Sequence, residues 1–163
     1  MGPTVTARAD QTTPRDTFKI FVRPAMKDCE ADPGATHRAV SALCHIDALA
    51  EEVWQATTNK PGGLRRYRDT LRAKCAELGY AWDVHDIHKH GMLTQRDPVL
   101  PNGRRPQVVR VGGSYSDAFS DAFQIGTPDV VLTLRDETIV RALDVIKKCV
   151  GWWDDELRRL GWT

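Results

Sequence analysis

The segment Asp83-Val84-His85-Asp86-Ile87-His88-Lys89-His90 packs three histidines, two aspartates and a lysine into eight residues. The whole chain has five histidines; the other two are His37 and His45. Imidazole titrates near neutrality and also ligates metals, so such a cluster points to acid–base chemistry or metal binding. On a helix turning about 100° per residue, Tyr80, Val84, Ile87 and Gly91 form an inward stripe. Asp83, Asp86 and His90 then share one flank, while His85, His88 and Lys89 spread over the other side. Asp86 and His90 are four residues apart, within reach of each other on a helix surface. A carboxylate beside an imidazole raises its basicity and fixes its orientation. Asp83, Asp86 and His90 are therefore the candidate catalytic residues, with His90 as base and Asp86 as its orienting partner, or with all three serving a metal-assisted hydrolase. The plainer reading is a polar network joining helices, or a helix face in water.

Other reaction types find less in the chain. His85 and His88 are three apart, not four as in H-E-x-x-H, and no cysteine or acidic residue follows at a typical ligand spacing, so no metal and no cofactor is expected. No serine sits in G-x-S-x-G, and Cys44-His45 are sequence neighbours that point apart on a helix. Gly62-Gly63 and Gly112-Gly113 lack a phosphate-cradling pattern and read as turns. A basic run, Arg65, Arg66, Arg68, Arg72 and Lys74, could meet phosphate, with Tyr67 as its single interleaved aromatic. Arg65, Arg68 and Arg72 are the candidates for nucleic-acid contact; the alternative is a solvated helix face.

The elements that must position these groups are mainly helical. Asp16 or Thr17 can cap a first helix with Phe18, Phe21 and Val22 on one face, and Pro24 either opens a later helix or kinks this one. After Asp32-Pro33-Gly34, a second helix runs from Thr36 to about Thr57, with Ala39, Leu43, Ile46, Ala50 and Val53 as its core stripe. Leu64 to Leu78 makes the basic third helix, with Gly79 as its stop, and Tyr80 to about Leu93 makes the fourth. Gln107–Val111 and Val130–Leu134 read as strands of a small antiparallel pair. The tandem Ser-Asp-Ala-Phe units at 116–123 leave room for one helical turn between them. The last helix is the clearest element: Ile139, Leu143, Ile146, Val150, Trp153, Leu157 and Leu160 alternate spacings of four and three, and Gly161 stops it. Its stripe must bury against other helices or against a second copy. Trp82, Trp152, Trp153 and Trp162 read as core and interface anchors.

The expected fold is thus mainly α (α+β), a helical bundle of about five helices with a small antiparallel β insertion at about 105–135, before the last helix. Residues 1–15 read as a disordered leader and 16–163 as one domain, since 163 residues suffice for one hydrophobic core. The net charge of +1 gives no global pull toward nucleic acid or anionic membrane. No apolar run approaches the ~20 residues of a membrane span. Cys29, Cys44, Cys75 and Cys149 are scattered, without a C-x-x-C pair, and read as reduced thiols of a cytoplasmic protein.

Two stretches carry a resemblance. Ser41-Ala42-Leu43-Cys44-His45-Ile46-Asp47 on a long helix, followed by Asp83-x-x-Asp86-x-x-Lys89-His90-Gly91 after a basic helix, resembles small bacterial proteins of HEPN-like helical type. A β-rich segment and a closing helix with Gly151-Trp152-Trp153-Asp154 extend the likeness in element order over roughly residues 18–160. From these stretches His45, Asp47 and Lys89 are taken as ligand-binding candidates. The resemblance implies a helical bundle, often dimeric, and in its ribonuclease members an Arg-x4–6-His motif cuts RNA without metal. Here Asp83 stands where that arginine would be, and a carboxylate cannot stabilise a phosphorane as guanidinium does. Cleavage would need Arg68 or Arg72 to reach His90 from another helix. The expectation is accordingly a cytoplasmic homodimer acting as a non-catalytic binding or accessory module, with a protein partner or RNA bound. The alternatives are a HEPN-like ribonuclease using His90 with Asp86, and a metal-assisted hydrolase using Asp83, Asp86 and His90.

Overall fold

The computed structural model describes residues 12–57, 62–93, 97–101, 104–111 and 127–163. The mainly helical architecture expected from the sequence is present, with a small antiparallel sheet before the last helix. In chain order the elements are α1 (Pro14–Thr17), a π-helical turn (Phe18–Val22), α2 (Arg23–Ala31), α3 (Thr36–Ala56), α4 (Leu64–Lys74), α5 (Ala76–His90), β1 (Gln107–Val111), β2 (Thr127–Thr133), β3 (Ile139–Arg141) and α6 (Ala142–Arg159). The first three form one rod, because the junction residues Thr17, Phe18, Val22 and Arg23 all keep helical backbone.

This rod begins earlier than the apolar pattern indicates. Thr13 is its N-cap, and a reciprocal capping box with Asp16 satisfies two terminal amides. Arg15 is buried and reaches across to α6, where its Nη1 lies 2.5 Å from Asp154 Oδ1. Helical order thus includes Pro14 and Arg15, which the sequence places in a leader; residues 1–11 lie outside the described residues. Pro24 takes the first turn of α2. Having no N–H, it cannot bond the carbonyl four residues back. The ladder has already widened just ahead of it, where Arg23 N–H donates to Phe18 O five residues back.

The third helix ends sooner than Gly79. Cys75 is extended (φ −144°, ψ 103°), and α5 starts at the next residue. Breaking there lets Leu71 of α4 and Leu78 of α5 enter the same core. Gly79 lies buried inside α5, and a Cβ on it would stand 3.5 Å from Arg72 Cβ and 3.7 Å from Val99, so it is a packing residue, not a stop. Gly91 does end α5, at φ +71°, with its N–H on Ile87 O at 2.9 Å.

The sheet has order β1-β2-β3, all antiparallel, with Val108 opposite Val130 and Leu132 opposite Val140. β3 takes Ile139, which the heptad pattern assigns to the last helix. Ile-Val-Arg is a β-prone run, and pairing it to β2 moves Ile139 to solvent at 63% exposure while α6 begins at Ala142. Residues 116–123, with their Ser-Asp-Ala-Phe units, lie outside the described residues.

At the centre stands α3, which packs on α2, α5 and α6. Its Leu43, Ile46, Leu49 and Val53 are fully enclosed, as are Ile146, Trp153 and Leu157 of α6 and Val130 of β2. Burying such side chains is the dominant favourable term in folding, at roughly 1.5–3 kcal/mol each. The turn between α2 and α3 is docked on β2 by Val130 N–H to Pro33 O at 3.0 Å. A Cβ added to Gly34 would lie 2.7 Å from Pro128 Cβ and 3.1 Å from its carbonyl oxygen. Gly34→Ala should therefore cost about 1–3 kcal/mol, the usual effect of overpacking, read as a lowered melting temperature. A melt identical to that of the parent protein would show that this turn is free to yield.

Candidate functional site

The site begins with a charge in an apolar stripe. Asp47 lies on α3 next to Ile46, three residues before Ala50, and is only 4% exposed. A buried carboxylate is costly unless its lone pairs are filled. Two helices fill them. Arg68 of α4 donates from Nε to Asp47 Oδ1 at 3.0 Å and from Nη2 to Oδ2 at 2.7 Å. His85 of α5 places Nδ1 2.7 Å from the same Oδ2. An ionised carboxylate only accepts, so Nδ1 carries the proton, and in neutral His85 Nε2 is left as an acceptor. The Arg68 guanidinium also lies over the ring of Trp82, 5.4 Å from its centroid, which fixes its plane by a cation–π contact.

This network forms part of the wall of an open pocket of about 330 Å³ lined by Asp47, Glu51, Leu64, Arg65, Arg68, Trp82, His85, Asp86, Lys89 and His90. Three helices contribute, α3, α4 and α5. On α5 the pocket residues follow helical spacing: Trp82, His85 and Asp86, then Lys89 and His90. Arg65, Lys89 and His90 have no ion-pair or hydrogen-bond partner among the described residues and are exposed. Their cationic donors, with the unused N–H groups of Arg68, face a space that also holds the carboxylates of Glu51 and Asp86. With neutral histidines the formal charges of the pocket cancel, three acidic against three basic side chains, and protonating His85 or His90 makes it cationic. Arg68 is already committed to Asp47, which leaves Arg65 and Lys89 as the free permanent cations among the described pocket residues.

The candidates from sequence separate into those this pocket gathers and those it leaves elsewhere. Asp47, Arg65, Arg68, Asp86, Lys89 and His90 all line it. Asp83 does not. Its carboxylate is fully buried, and Oδ2 accepts from Val99 N–H at 2.6 Å and Leu100 N–H at 2.7 Å. It shares a helical angle with His90 but lies seven residues away, about 10 Å along the axis. Burial pushes the Asp83 carboxyl up to about 6, a rise that the two backbone hydrogen bonds oppose and that the negative charge of Asp86 reinforces. Asp83 therefore clamps the 97–101 segment over α5. Arg72 serves the same segment: its Nη1 donates to Asp97 O at 2.8 Å, and its Nε lies 3.2 Å from Asp69. His45 faces the opposite side of α3 and stacks on Phe21, with ring centroids 5.6 Å apart.

His85, Trp82, Glu51 and Leu64 are the pocket residues that the sequence does not place among the site candidates: it reads His85 only as part of the histidine cluster and Trp82 as a core or interface anchor. A signal for two of them exists in the i, i+3, i+4, i+7 order of Trp82, His85, Asp86 and Lys89, which puts His85 beside Asp86 instead of opposite it. Among the described residues there is no group of three or more His, Cys, Asp or Glu side chains arranged to hold a metal ion. Also among them, no helix is long and apolar enough to cross a membrane. Comparison with protein-family models, with curated proteins and with solved structures gives no match for this chain.

Proposed function

We propose that the chain is an RNA-binding accessory module whose pocket between α3, α4 and α5 takes a backbone phosphate. The observation that carries this reading is the Asp47–Arg68–His85 network, in which one buried carboxylate holds a guanidinium and an imidazole in fixed orientations on the wall of a pocket bearing the cations Arg65 and Lys89. A phosphate oxygen can take the remaining Arg68 donors and the rim cations together, whereas the same cations on a flat helix face would offer no held geometry. Glu51 and Asp86 offer acceptors for a ribose hydroxyl or a base amino group. Charge reversal at both rim cations, Arg65→Glu with Lys89→Glu, should weaken binding of a single-stranded RNA oligonucleotide at least about tenfold in a fluorescence-anisotropy titration at low salt. Equal affinity in the double variant would exclude this pocket as the RNA site.

A second reading is favoured by one specific feature, the 2.7 Å contact of His85 Nδ1 with Asp47. It makes Nε2 of a neutral His85 a proton acceptor, and His90 and two arginines line the same pocket. Metal-independent RNA cleavage would then use His85 and His90 as the acid–base pair, with Asp47 as the positioning group for His85 and Arg65 and Arg68 stabilising the phosphorane. An arginine from α4 then serves the histidines, where α5 itself supplies only Asp83. Incubation of labelled RNA in chelator, with His85→Ala and His90→Ala beside the parent protein, decides between binding alone and cleavage.

For quaternary structure we propose a homodimer acting in the cytoplasm, where four free cysteines are in keeping with a reducing milieu. The α6 stripe no longer argues for it, because Ile146, Val150, Trp153 and Leu157 are buried inside the protomer. The support is now the adjacent exposed pair Ile20 and Phe21 on the π-helical turn. Light scattering on the eluting protein should give twice the chain mass, and Phe21→Glu should halve it; a monomer at micromolar concentration would end the proposal.

A further inference from the structure

The pocket between α3, α4 and α5 carries more acid than a phosphate site needs. Asp47 is committed to Arg68 and His85, but Glu51 and Asp86 also line the space, and a carboxylate there opposes an anion. Glu51 is the plainer case. It is exposed, and among the described residues its carboxylate is engaged only by Gln55, whose Nε2 donates to Oε1 at 3.3 Å. An ionised carboxylate has about four lone-pair sites on its two oxygens, so Oε2 and part of Oε1 stay open to the pocket.

Position separates Glu51 from the held cation. It follows Asp47 by four residues, so it stands on the same face of α3 about 6 Å farther along the axis. Arg68 is fixed at Asp47 by two hydrogen bonds, whereas Glu51 has no ion-pair partner among the described residues. A ligand that fills both places must therefore be anionic at one end and present hydrogen-bond donors at the other. A nucleotide is such a molecule, and its base is the donor end.

The bases differ in what they offer a carboxylate. Unpaired bases of a single strand expose their Watson–Crick edges. On that edge guanine sets N1–H beside the N2 amino group, two adjacent donors that match the two oxygens of one carboxylate. Adenine, cytosine and uracil each have a single donor there, next to an acceptor that a carboxylate repels. We propose that the pocket selects guanosine, with Glu51 accepting from N1–H and the N2 amino group of a base whose phosphate lies on Arg65, Arg68 and Lys89. This rests on the phosphate reading of the same pocket and adds the identity of the base, with Glu51 as the residue that determines it.

The test compares three labelled oligouridylates, each with one central guanosine, adenosine or inosine, in fluorescence-anisotropy titrations at low salt. Inosine keeps N1–H and lacks the N2 amino group. The guanosine oligomer should bind about tenfold tighter than the adenosine oligomer, the discrimination expected of one bidentate base contact, and inosine should lose most of that preference. In Glu51→Gln the preference for guanosine over adenosine should disappear, because a side-chain amide accepts through one oxygen only and turns a donor toward the base. Glu51 is exposed on its helix, so this substitution leaves the core intact. Binding with equal affinity for guanosine and adenosine, inosine bound as tightly as guanosine, or a preference that survives Glu51→Gln would each overturn the guanine assignment while the phosphate pocket stands. If no oligomer binds at all, the phosphate reading fails and the guanine assignment falls with it.

Discussion

Asp47→Ala should destabilise the protein by about 3 kcal/mol or more in denaturant unfolding, because it strips a fixed guanidinium and imidazole of their shared partner at the wall of the pocket. That is a large share of the total stability of a domain of this size, which is roughly 5–15 kcal/mol. The value is at the low end for a broken buried ion pair, since the Arg68 and His85 side chains are 16% and 26% exposed and water can partly compensate them. Asp47→Asn separates stability from function. The amide oxygen can still accept from Arg68, but the amide nitrogen would present a donor toward His85 Nδ1 and so favour the opposite tautomer. This variant should fold with a smaller loss, below about 2 kcal/mol, yet lose RNA binding and any cleavage that relies on Nε2 as acceptor. Nitrogen NMR of the imidazole would read the tautomer directly. An Asp47→Ala protein within about 0.5 kcal/mol of the parent would mean that the network behaves as an exposed ion pair of little worth.

The second large effect is a dependence of stability on pH that originates at Asp83. Its carboxyl is raised from 3.8 to about 6 in the folded chain, chiefly by burial. Between these values the native state holds a proton that the unfolded state has released. Stability contributed by this group is therefore complete below about pH 4 and is lost as pH rises through about 6. At about 1.36 kcal/mol per pKa unit the loss is about 3 kcal/mol. Asp83→Asn mimics the protonated form and cannot ionise, while its oxygen can still accept from Val99 and Leu100 N–H. The stability difference between this variant and the parent protein should shift in favour of the variant by about 3 kcal/mol from about pH 4 to about pH 7, measured by urea unfolding at each pH. Parallel curves for the two proteins would show that Asp83 ionises in the folded state as it does in a peptide.

The helices can be read from periodicity because each buries one face, and burial is what periodicity records; the two strands are legible from their β-branched runs instead, since β2 buries four consecutive residues and Val108 of β1 is half exposed. The stripe Leu43, Ile46, Ala50 and Val53 lies in the core as spaced, and so do Ile146, Val150, Trp153 and Leu157. Boundaries are less legible where a tertiary contact decides them. Cys75 breaks the chain in place of Gly79 because Leu71 and Leu78 must share one core, and Ile139 joins β3 because β2 offers it a backbone partner. Neither partner is written in the local sequence.

The site divides along the same line. Asp86, Lys89 and His90 are visible as a polar cluster on one helix. Asp47 stands out only through a family resemblance, although a lone aspartate inside an apolar stripe asks for a buried cation in its own right. His85 is set apart from Asp86 when angles are read without the partner helices, and Asp83 is grouped with His90 because angle alone ignores their separation along the axis. What the local pattern lacks is the approach of α3 and α4, which makes Asp47 and Arg68 the company that His85 keeps.

The phosphate pocket is tested most directly by titrating the protein with single-stranded RNA while following the imidazole signals of its five histidines by NMR. Saturable shifts are expected at His85 and His90, with His37 and His45 unmoved, and those shifts should vanish in the Arg65→Glu, Lys89→Glu protein. Shifts at His37 or His45 with His85 and His90 unchanged would place RNA on another face and refute the phosphate pocket.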